Sequence, residues 1–495
     1  MEKSEFEQKI VSQPGKQRQF IAAIIANLST LAWGYVIGFA SPSMALLQSS
    51  NTPLDHGPLT DNQISWLNGI QTIGGLIALP FCSSLSDKLG RKITGCLISI
   101  PLGICWLLTI FTTTFTYILV ARFLSGVSGA ISVFVVSIYI TEISNDDIRG
   151  FLGSFLLFSI NIGILLGYTI GATLSYQFSA IFGLTIPVIF IAFFVFMPET
   201  PIFLVRNNRI PEAKRSLMWL KNNDKKIADQ ELLRLEAFKK TSSTDDDDNN
   251  RSVFIKNLFK DRGTIKGLII SLVLLNGQQL CGISIVIIYT SKIFEIAGSS
   301  LSPNTSAIII GVIQIFGSSL STLLVERAGR RLLILISCGG MAIAHIVLGI
   351  FLYMQVNLYD VTTFKWIPIT ALSLFTLIYC LGMGPLPYVV SSEIFSADIC
   401  ALANSVAQIC MWILAFFIIK FFPSLIEIFG MYGCFLLLAC FCIAIFIFTY
   451  FVIPETRGKS IQTILDELNG LPKESEQNGY IKALDMKKNS NSFTA

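Results

Sequence analysis

The sequence predicts an all-α membrane protein, with twelve transmembrane helices in two pseudo-symmetric bundles of six and a cytoplasmic helical linker between them. Three observations predict it. Only 14% of the 495 residues are charged, where a soluble chain carries about 25%. The mean hydropathy is +0.65. Short motifs of the first half recur, in the same order, in the second half.

The charges are unevenly placed. They gather at the two ends and in one central stretch, and leave long apolar runs between. Crossing the hydrocarbon core takes about twenty apolar residues. Spans are expected near 19–42, 63–84, 93–113, 115–138, 151–173, 178–197, 264–290, 304–325, 332–354, 366–390, 401–421 and 430–453. Five segments follow: an N-terminal tail (1–18), a first six-helix bundle (19–197), a linker (198–263), a second bundle (264–453) and a C-terminal tail (454–495). Leu217, Leu220, Leu232, Leu233 and Leu235 predict short amphipathic helices in the linker, and Asp245, Asp246, Asp247 and Asp248 a solvated stretch.

If the spans alternate, Lys88, Arg91, Lys92, Arg149, Arg327, Arg330, Arg331, Arg457 and Lys459 fall on one side of the membrane. Arg122, Lys292, Lys365 and Lys420 fall on the other. The richer side is expected to be cytoplasmic, with both termini and the linker. The sequon Asn304-Thr305-Ser306 then lies outside as a candidate glycosylation site, while Asn27-Leu28-Ser29 is buried in a span. The polar first nineteen residues lack the apolar core of a cleavable signal peptide, so the first span is expected to serve as an uncleaved insertion signal.

Composition also excludes classes. The net charge of +4 is spread between apolar segments and forms no basic face for nucleic acid. Ten of the eleven cysteines sit in apolar runs, and no Cys-x-x-Cys occurs. They read as packing residues, neither disulfides nor metal ligands. No phosphate loop, nucleophile–base pairing or metal cluster is visible, so neither an enzyme nor a cofactor is expected.

The repeat is specific. Leu89-Gly90-Arg91-Lys92 follows the second span and Ala328-Gly329-Arg330-Arg331 the eighth. Glu142 and Glu393 follow the fourth and tenth, and Pro198-Glu199-Thr200 and Pro454-Glu455-Thr456 end the sixth and twelfth. Each partner stands roughly 250 residues on, as two similar halves require.

Asp87-Lys88-Leu89-Gly90-Arg91-Lys92, Pro198-Glu199-Thr200-Pro201, Gln278-Gln279-Leu280-Cys281-Gly282, Glu326-Arg327-Ala328-Gly329-Arg330-Arg331, Gly384-Pro385-Leu386-Pro387 and Pro454-Glu455-Thr456-Arg457-Gly458-Lys459 carry a resemblance. Over about residues 20–460 the chain resembles the sugar porter family of the major facilitator superfamily. Trp33-Gly34-Tyr35 to Ser41-Pro42 is most similar to its insect trehalose and hexose facilitators.

Mid-span polarity agrees without the resemblance. Asn161, Gln278 and Gln314 stand near the middles of the fifth, seventh and eighth spans. A polar group there faces a cavity or another helix, not lipid. Neutral amides both donate and accept, which suits hydroxyl groups. Gly277 and Gly282 would let the seventh helix loosen. The resemblance implies that Gln278 and Gln279 bond the sugar ring and that Ser284, Tyr289, Gln314, Tyr388 and Trp412 line its pocket. It also implies that Asp87, Glu142, Glu326, Glu393 and Glu455, with Arg91, Arg149, Arg330 and Arg331, form a cytoplasmic gate joining the halves when the inside is shut. His345 is expected to be a satisfied packing residue, and Lys420 to snorkel outward.

The chain departs from the family pattern at several positions. Leu157 stands for the usual Gln of the fifth span, with Asn161 one turn on as a substitute. Cys380 replaces an acid, Tyr388 a Trp, and Cys400 and Ile202 arginines. Proton-linked members carry an acid in the first span where Val36 stands, and no Asp, Glu, Lys, Arg or His occurs between Gln19 and Leu54. The resemblance therefore implies facilitated diffusion of a hexose or trehalose by a carrier in the plasma membrane, with the monomer as its unit. Proton symport through an acid elsewhere, and a non-transporting sugar sensor, are the alternatives.

Overall fold

The structure is a computed structural model that describes residues 16–242 and 262–469, apart from Asp146, Ser396, Gly458 and Ser460. The acidic run Asp245–Asp248 lies outside them. Every regular element among the described residues is helical. The first bundle holds α1 (Lys16–Leu47), α2 (Asp61–Leu89), α3 (Arg91–Ile110), α4 (Phe115–Ile143), α5 (Arg149–Thr173) and α6 (Tyr176–Phe194). The linker holds α7 (Pro201–Arg206), α8 (Ile210–Leu220) and α9 (Lys225–Ser242). The second bundle holds α10 (Arg262–Leu280), α11 (Ile283–Ile288), α12 (Thr290–Ile296), α13 (Pro303–Ala328), α14 (Arg330–Val356), α15 (Ile367–Leu381), α16 (Leu386–Ile394) and α17 (Ala397–Val452), and α18 (Ile461–Asn469) follows.

Eleven of the described helical stretches are long and apolar enough to cross a membrane. The last, α17, has 56 residues, about 84 Å against a core of about 30 Å. It bends at Gly430, whose φ of 70° and ψ of 166° leave the helix. Lys420 lies beside Asn62 near the start of α2, whereas Glu455 lies beside Arg330 at the start of α14. The chain therefore turns back at Gly430, and the two arms are the eleventh and twelfth spans. The outer surface carries large exposed apolar side chains such as Phe81, Phe178, Phe196 and Phe451, as lipid-facing helices do.

Two spans differ from the expected single helices. The seventh is α10, α11 and α12, with Gly282 at φ 86° between the first two. The expected loosening falls at Gly282 alone, since Gly277 stays within α10. The tenth is α15 and α16, parted around Gly382–Pro385, because two prolines, Pro385 and Pro387, each lack an N–H donor.

Glycine sets how closely α1 and α5 meet. A β-carbon on Gly34 or Gly38 would lie 2.2 Å from the carbonyl oxygen of Ile160 or Ile164, and one on Gly163 2.2 Å from that of Leu31. Both helices thus present Gly-x-x-x-Gly faces, Gly34/Gly38 and Gly163/Gly167, and their backbones touch. Without hydrophobic drive between helices in lipid, this contact supplies much of the association.

The linker docks under the first bundle. The Gln19 side chain donates to Asn145 Oδ1 (3.1 Å), Lys221 Nζ donates to the same oxygen (2.5 Å), and Arg18 donates to the Trp219 carbonyl (3.0 Å) while stacking over its ring. α18 docks under the second, with Lys266 Nζ donating to the Leu468 carbonyl at 2.7 Å.

Gly38→Leu should keep the chain from forming a stable fold, because a backbone, and no flexible side chain, occupies the space. Loss of the monodisperse peak on detergent gel filtration would show this. A normal peak and melting curve would mean that α1 and α5 can separate.

Candidate functional site

The polar residues expected at mid-span occupy distinct environments. Gln278 is buried, and its Nε2 donates to the carbonyls of Met383 (2.8 Å) and Gly384 (2.7 Å). Those carbonyls belong to the break in the tenth span, so Gln278 ties the two interrupted spans together. Gln279 is half-buried and accepts from Ser284 Oγ (2.6 Å) across the Gly282 break. Gln314 is buried on α13, and among the described residues its Oε1 has no partner. An unpaired buried acceptor costs about 1–3 kcal/mol, which a hydroxyl donor would relieve.

Contacts between the two halves complete the set. Asn161 Nδ2 on α5 donates to Ser318 Oγ on α13 at 2.6 Å. Trp412 lies against Gly75 of α2, and its ring stands 6.3 Å from Trp33 of α1. Trp33 packs on Gly129, and its Nε1 is a second buried group without a partner. Tyr388 is 38% exposed, with its hydroxyl 3.7 Å from Met411 Sδ. Among the described residues, the Trp33 indole N–H and the Gln314 amide oxygen are buried without partners, and groups of this uncharged kind, with the two indole faces, suit hydroxyls and C–H faces.

Five expectations change. Tyr289 is fully buried, donates to the Ile419 carbonyl (3.3 Å) and packs on Phe422, so it belongs to the core and not to a pocket wall. Gln278 spends its amide nitrogen on backbone. Arg122, counted with the loop charges, is buried inside the first bundle, where it donates to the Val36 carbonyl (3.1 Å) and Ser43 Oγ (3.3 Å). Lys420 does not snorkel to solvent alone. It reaches Asn62 Oδ1 and Ser65 Oγ on α2, both at 2.8 Å, and lies 4.7 Å over the Trp66 ring. His345 is fully buried with Nε2 3.0 Å from the Cys281 carbonyl, but it is not the fully satisfied residue expected, since its Nδ1 is buried without a partner among the described residues. Trp33 and Ser318 had no role in the sequence reading. Ser318 shares a helix face with Gln314, which stands four residues before it, and Trp33 entered only through the resemblance of Trp33-Gly34-Tyr35.

The charged motifs build two copies of one structure. Gly90 and Gly329 adopt φ 93° and 87° between consecutive helices. Glu199 accepts from the backbone N–H groups of Arg91 (3.1 Å) and Lys92 (3.0 Å) at the start of α3. Glu455 accepts from those of Arg330 (2.9 Å) and Arg331 (3.2 Å) at the start of α14. A carboxylate satisfies orphan donors there and meets the positive end of the helix dipole. Burial pushes the Glu199 carboxyl upward, against the pull of the N–H groups of Thr200, Lys92 and Arg91.

Arg91 pairs with Glu142 (2.9 Å) and Asp87 (3.3 Å), and Arg330 with Glu393 (3.0 Å). Arg149 donates to the Ser144 carbonyl (3.4 Å), and Arg331 donates to the Tyr450 carbonyl and lies over its ring. The side chain of Glu326 lies outside the described ones. Each of these contacts joins residues of one half. The described ion pair between halves lies at the opposite end, Lys292–Asp61 at 2.6 Å. Asn304 is exposed in the first turn of α13, after the Ser302 cap.

Twelve spans in two like halves, interrupted helices and uncharged polar groups between the halves define a polytopic transporter of the major facilitator fold. The chain belongs to the family described as "Sugar (and other) transporter", whose model matches residues 22–467. It is 33% identical over 446 residues to the facilitated trehalose transporter Tret1 of Bombyx mori, covering 90% of this chain and 86% of that one. It is 33% identical over 466 residues to Tret1 of Culex quinquefasciatus, covering 94% and 89%. Among solved structures, the inward-open xylose transporter XylE from E. coli superposes with a TM-score of 0.75 at 20% identity, covering 91% of this chain and 99% of that one. The proton:xylose symporter XylE bound to 6-bromo-6-deoxy-D-glucose gives 0.71 at 20%, covering 92% and 99%.

Glu199→Ala and Glu455→Ala should each weaken the fold by about 1 kcal/mol, the usual effect of losing a helix cap. Thermal melting of the purified proteins should show two similar drops. A drop in only one would break the equivalence of the halves.

Proposed function

We propose that the protein is a uniporter that carries a small uncharged sugar, trehalose or a hexose, down its gradient by alternating access. The observation that supports it most is that the described contacts between the halves at mid-span, Asn161 with Ser318 and Trp33 with Trp412, are uncharged, as are Gln279, Ser284, Gln314 and Tyr388, with no carboxylate or cation among them. The names of the relatives from Bombyx mori and Culex quinquefasciatus support the substrate class. The buried Arg122 favours uniport over symport. Its described partners are a carbonyl and a hydroxyl, which do not titrate in the physiological range.

In this reading the Arg91 and Arg330 clusters form the cytoplasmic gate. Glu142 Oε2 and Arg331 Nε are buried without partners among the described residues, and each is available to bond to the opposite half when the inner ends meet. Such ion pairs are individually weak, which suits contacts broken in every cycle. The termini and linker are cytoplasmic, the membrane is the plasma membrane, and Asn304 is the glycan acceptor outside.

Reconstituted protein should show counterflow of labelled trehalose or a hexose, and a competition panel of sugars should rank the two. Collapse of a proton gradient should leave uptake unchanged, whereas accumulation above equilibrium that is lost on collapse would make the carrier a symporter. Absence of counterflow for every sugar would favour a sensor. Gln279→Ala should insert normally yet transport at background level, and full uptake by that variant would remove Gln279 from the site.

A further inference from the structure

The break in the seventh span is completed by the other half of the molecule. In an unbroken helix the Ile287 carbonyl would accept from the N–H of Ser291, four residues on. Here Tyr289, at φ −100° and ψ 15°, separates α11 from α12, and each end of that bond has another partner. The Ser291 N–H donates to Ser41 Oγ of α1 at 3.0 Å. The Ile287 carbonyl accepts from the Tyr168 hydroxyl of α5 at 2.7 Å and from Thr290 Oγ1 at 3.1 Å. The two serine hydroxyls also lie 2.9 Å apart.

We propose that Ser41 and Tyr168 are positioning residues that hold the seventh span bent at its outer end by replacing both partners of one of the helical hydrogen bonds interrupted there. The inference rests on the alternating-access reading above. In apolar surroundings a backbone donor and acceptor must each be satisfied. While the halves touch at this end, side chains of the first half satisfy them. When the halves part, the Ser291 N–H loses Ser41 and the Ile287 carbonyl keeps only the Thr290 hydroxyl, which also lies against the Val286 carbonyl, so the two backbone groups pair with each other and the helix straightens. The Lys292–Asp61 ion pair, one residue beyond Ser291, closes the same seam and parts with it. The bent helix is thus specific to the state closed to the outside, and the hydroxyls set how long the carrier stays there.

Tyr168→Phe and Ser41→Ala each remove one hydroxyl and little volume. Losing a neutral hydrogen bond that exists in one state shifts the balance between states roughly fivefold. In cells expressing the full chain, half-saturation for sugar entry should therefore fall by up to about fivefold, and half-saturation for exit should rise. The double variant should move both further. A shift of both constants in the same direction, or of neither, would overturn the proposal, since damage to the site itself acts alike from both faces.

A second measurement does not need transport. In a Ser284→Cys protein, an impermeant maleimide added outside should label the new cysteine faster when Tyr168→Phe is present, as read by peptide mass spectrometry. Equal rates would also overturn the proposal. A wild-type protein that moves no sugar would defeat the functional reading instead, and the labelling rates would still judge the clasp.

Discussion

Hydrocarbon offers no hydrogen bonds, so every backbone N–H and C=O within the membrane must find a partner in the protein. Uninterrupted helices meet this demand alone. The seventh and tenth spans do not, and their open groups decide where the important side chains go. Gln278 serves the carbonyls at Met383 and Gly384. Ser41 and Tyr168 serve the groups at Ser291 and Ile287. The interrupted helices are therefore held in shape by distant parts of the chain, and any change in those contacts changes the helices.

The same rule governs the charged ends. Glu199 and Glu455 sit where consecutive helices begin, and each satisfies two N–H groups while leaving the neighbouring arginine side chains free to pair with Glu142 or Glu393. The duplication extends to the glycines that turn the chain before each cap, Gly90 and Gly329. Beside this symmetry, the central groups are asymmetric. The first half supplies Trp33 and Asn161, and the second supplies Gln278, Gln279, Gln314 and Trp412.

Much of this was legible in the sequence. Charge distribution and span length gave the twelve crossings, because the bilayer imposes one length on every helix. The repeated Gly90-Arg91 and Gly329-Arg330 gave the two halves. What could not be read was partnership. Asn161, Gln278 and Gln314 are chemically similar amides at similar depths, yet one bridges the halves, one caps a broken helix and one has an unpaired oxygen. Arg122 read as a loop charge because it lies near a predicted span end, and only the fold shows that α1 offers it a carbonyl and a hydroxyl. Tyr289 is expected in the pocket from the resemblance, but here it is buried in the core against Phe422.

The turn at Gly430 has a mechanical consequence. The eleventh and twelfth spans leave the helical conformation at one residue, so almost no slack lies between them. One arm carries Lys420, ten residues before the turn, held by Asn62, Ser65 and Trp66 of the other half. The other arm runs the full depth of the membrane to Glu455, which seats the start of α14. The pair works as a stiff hairpin lever. A tug on its tip is delivered to the far face without being absorbed by a loop.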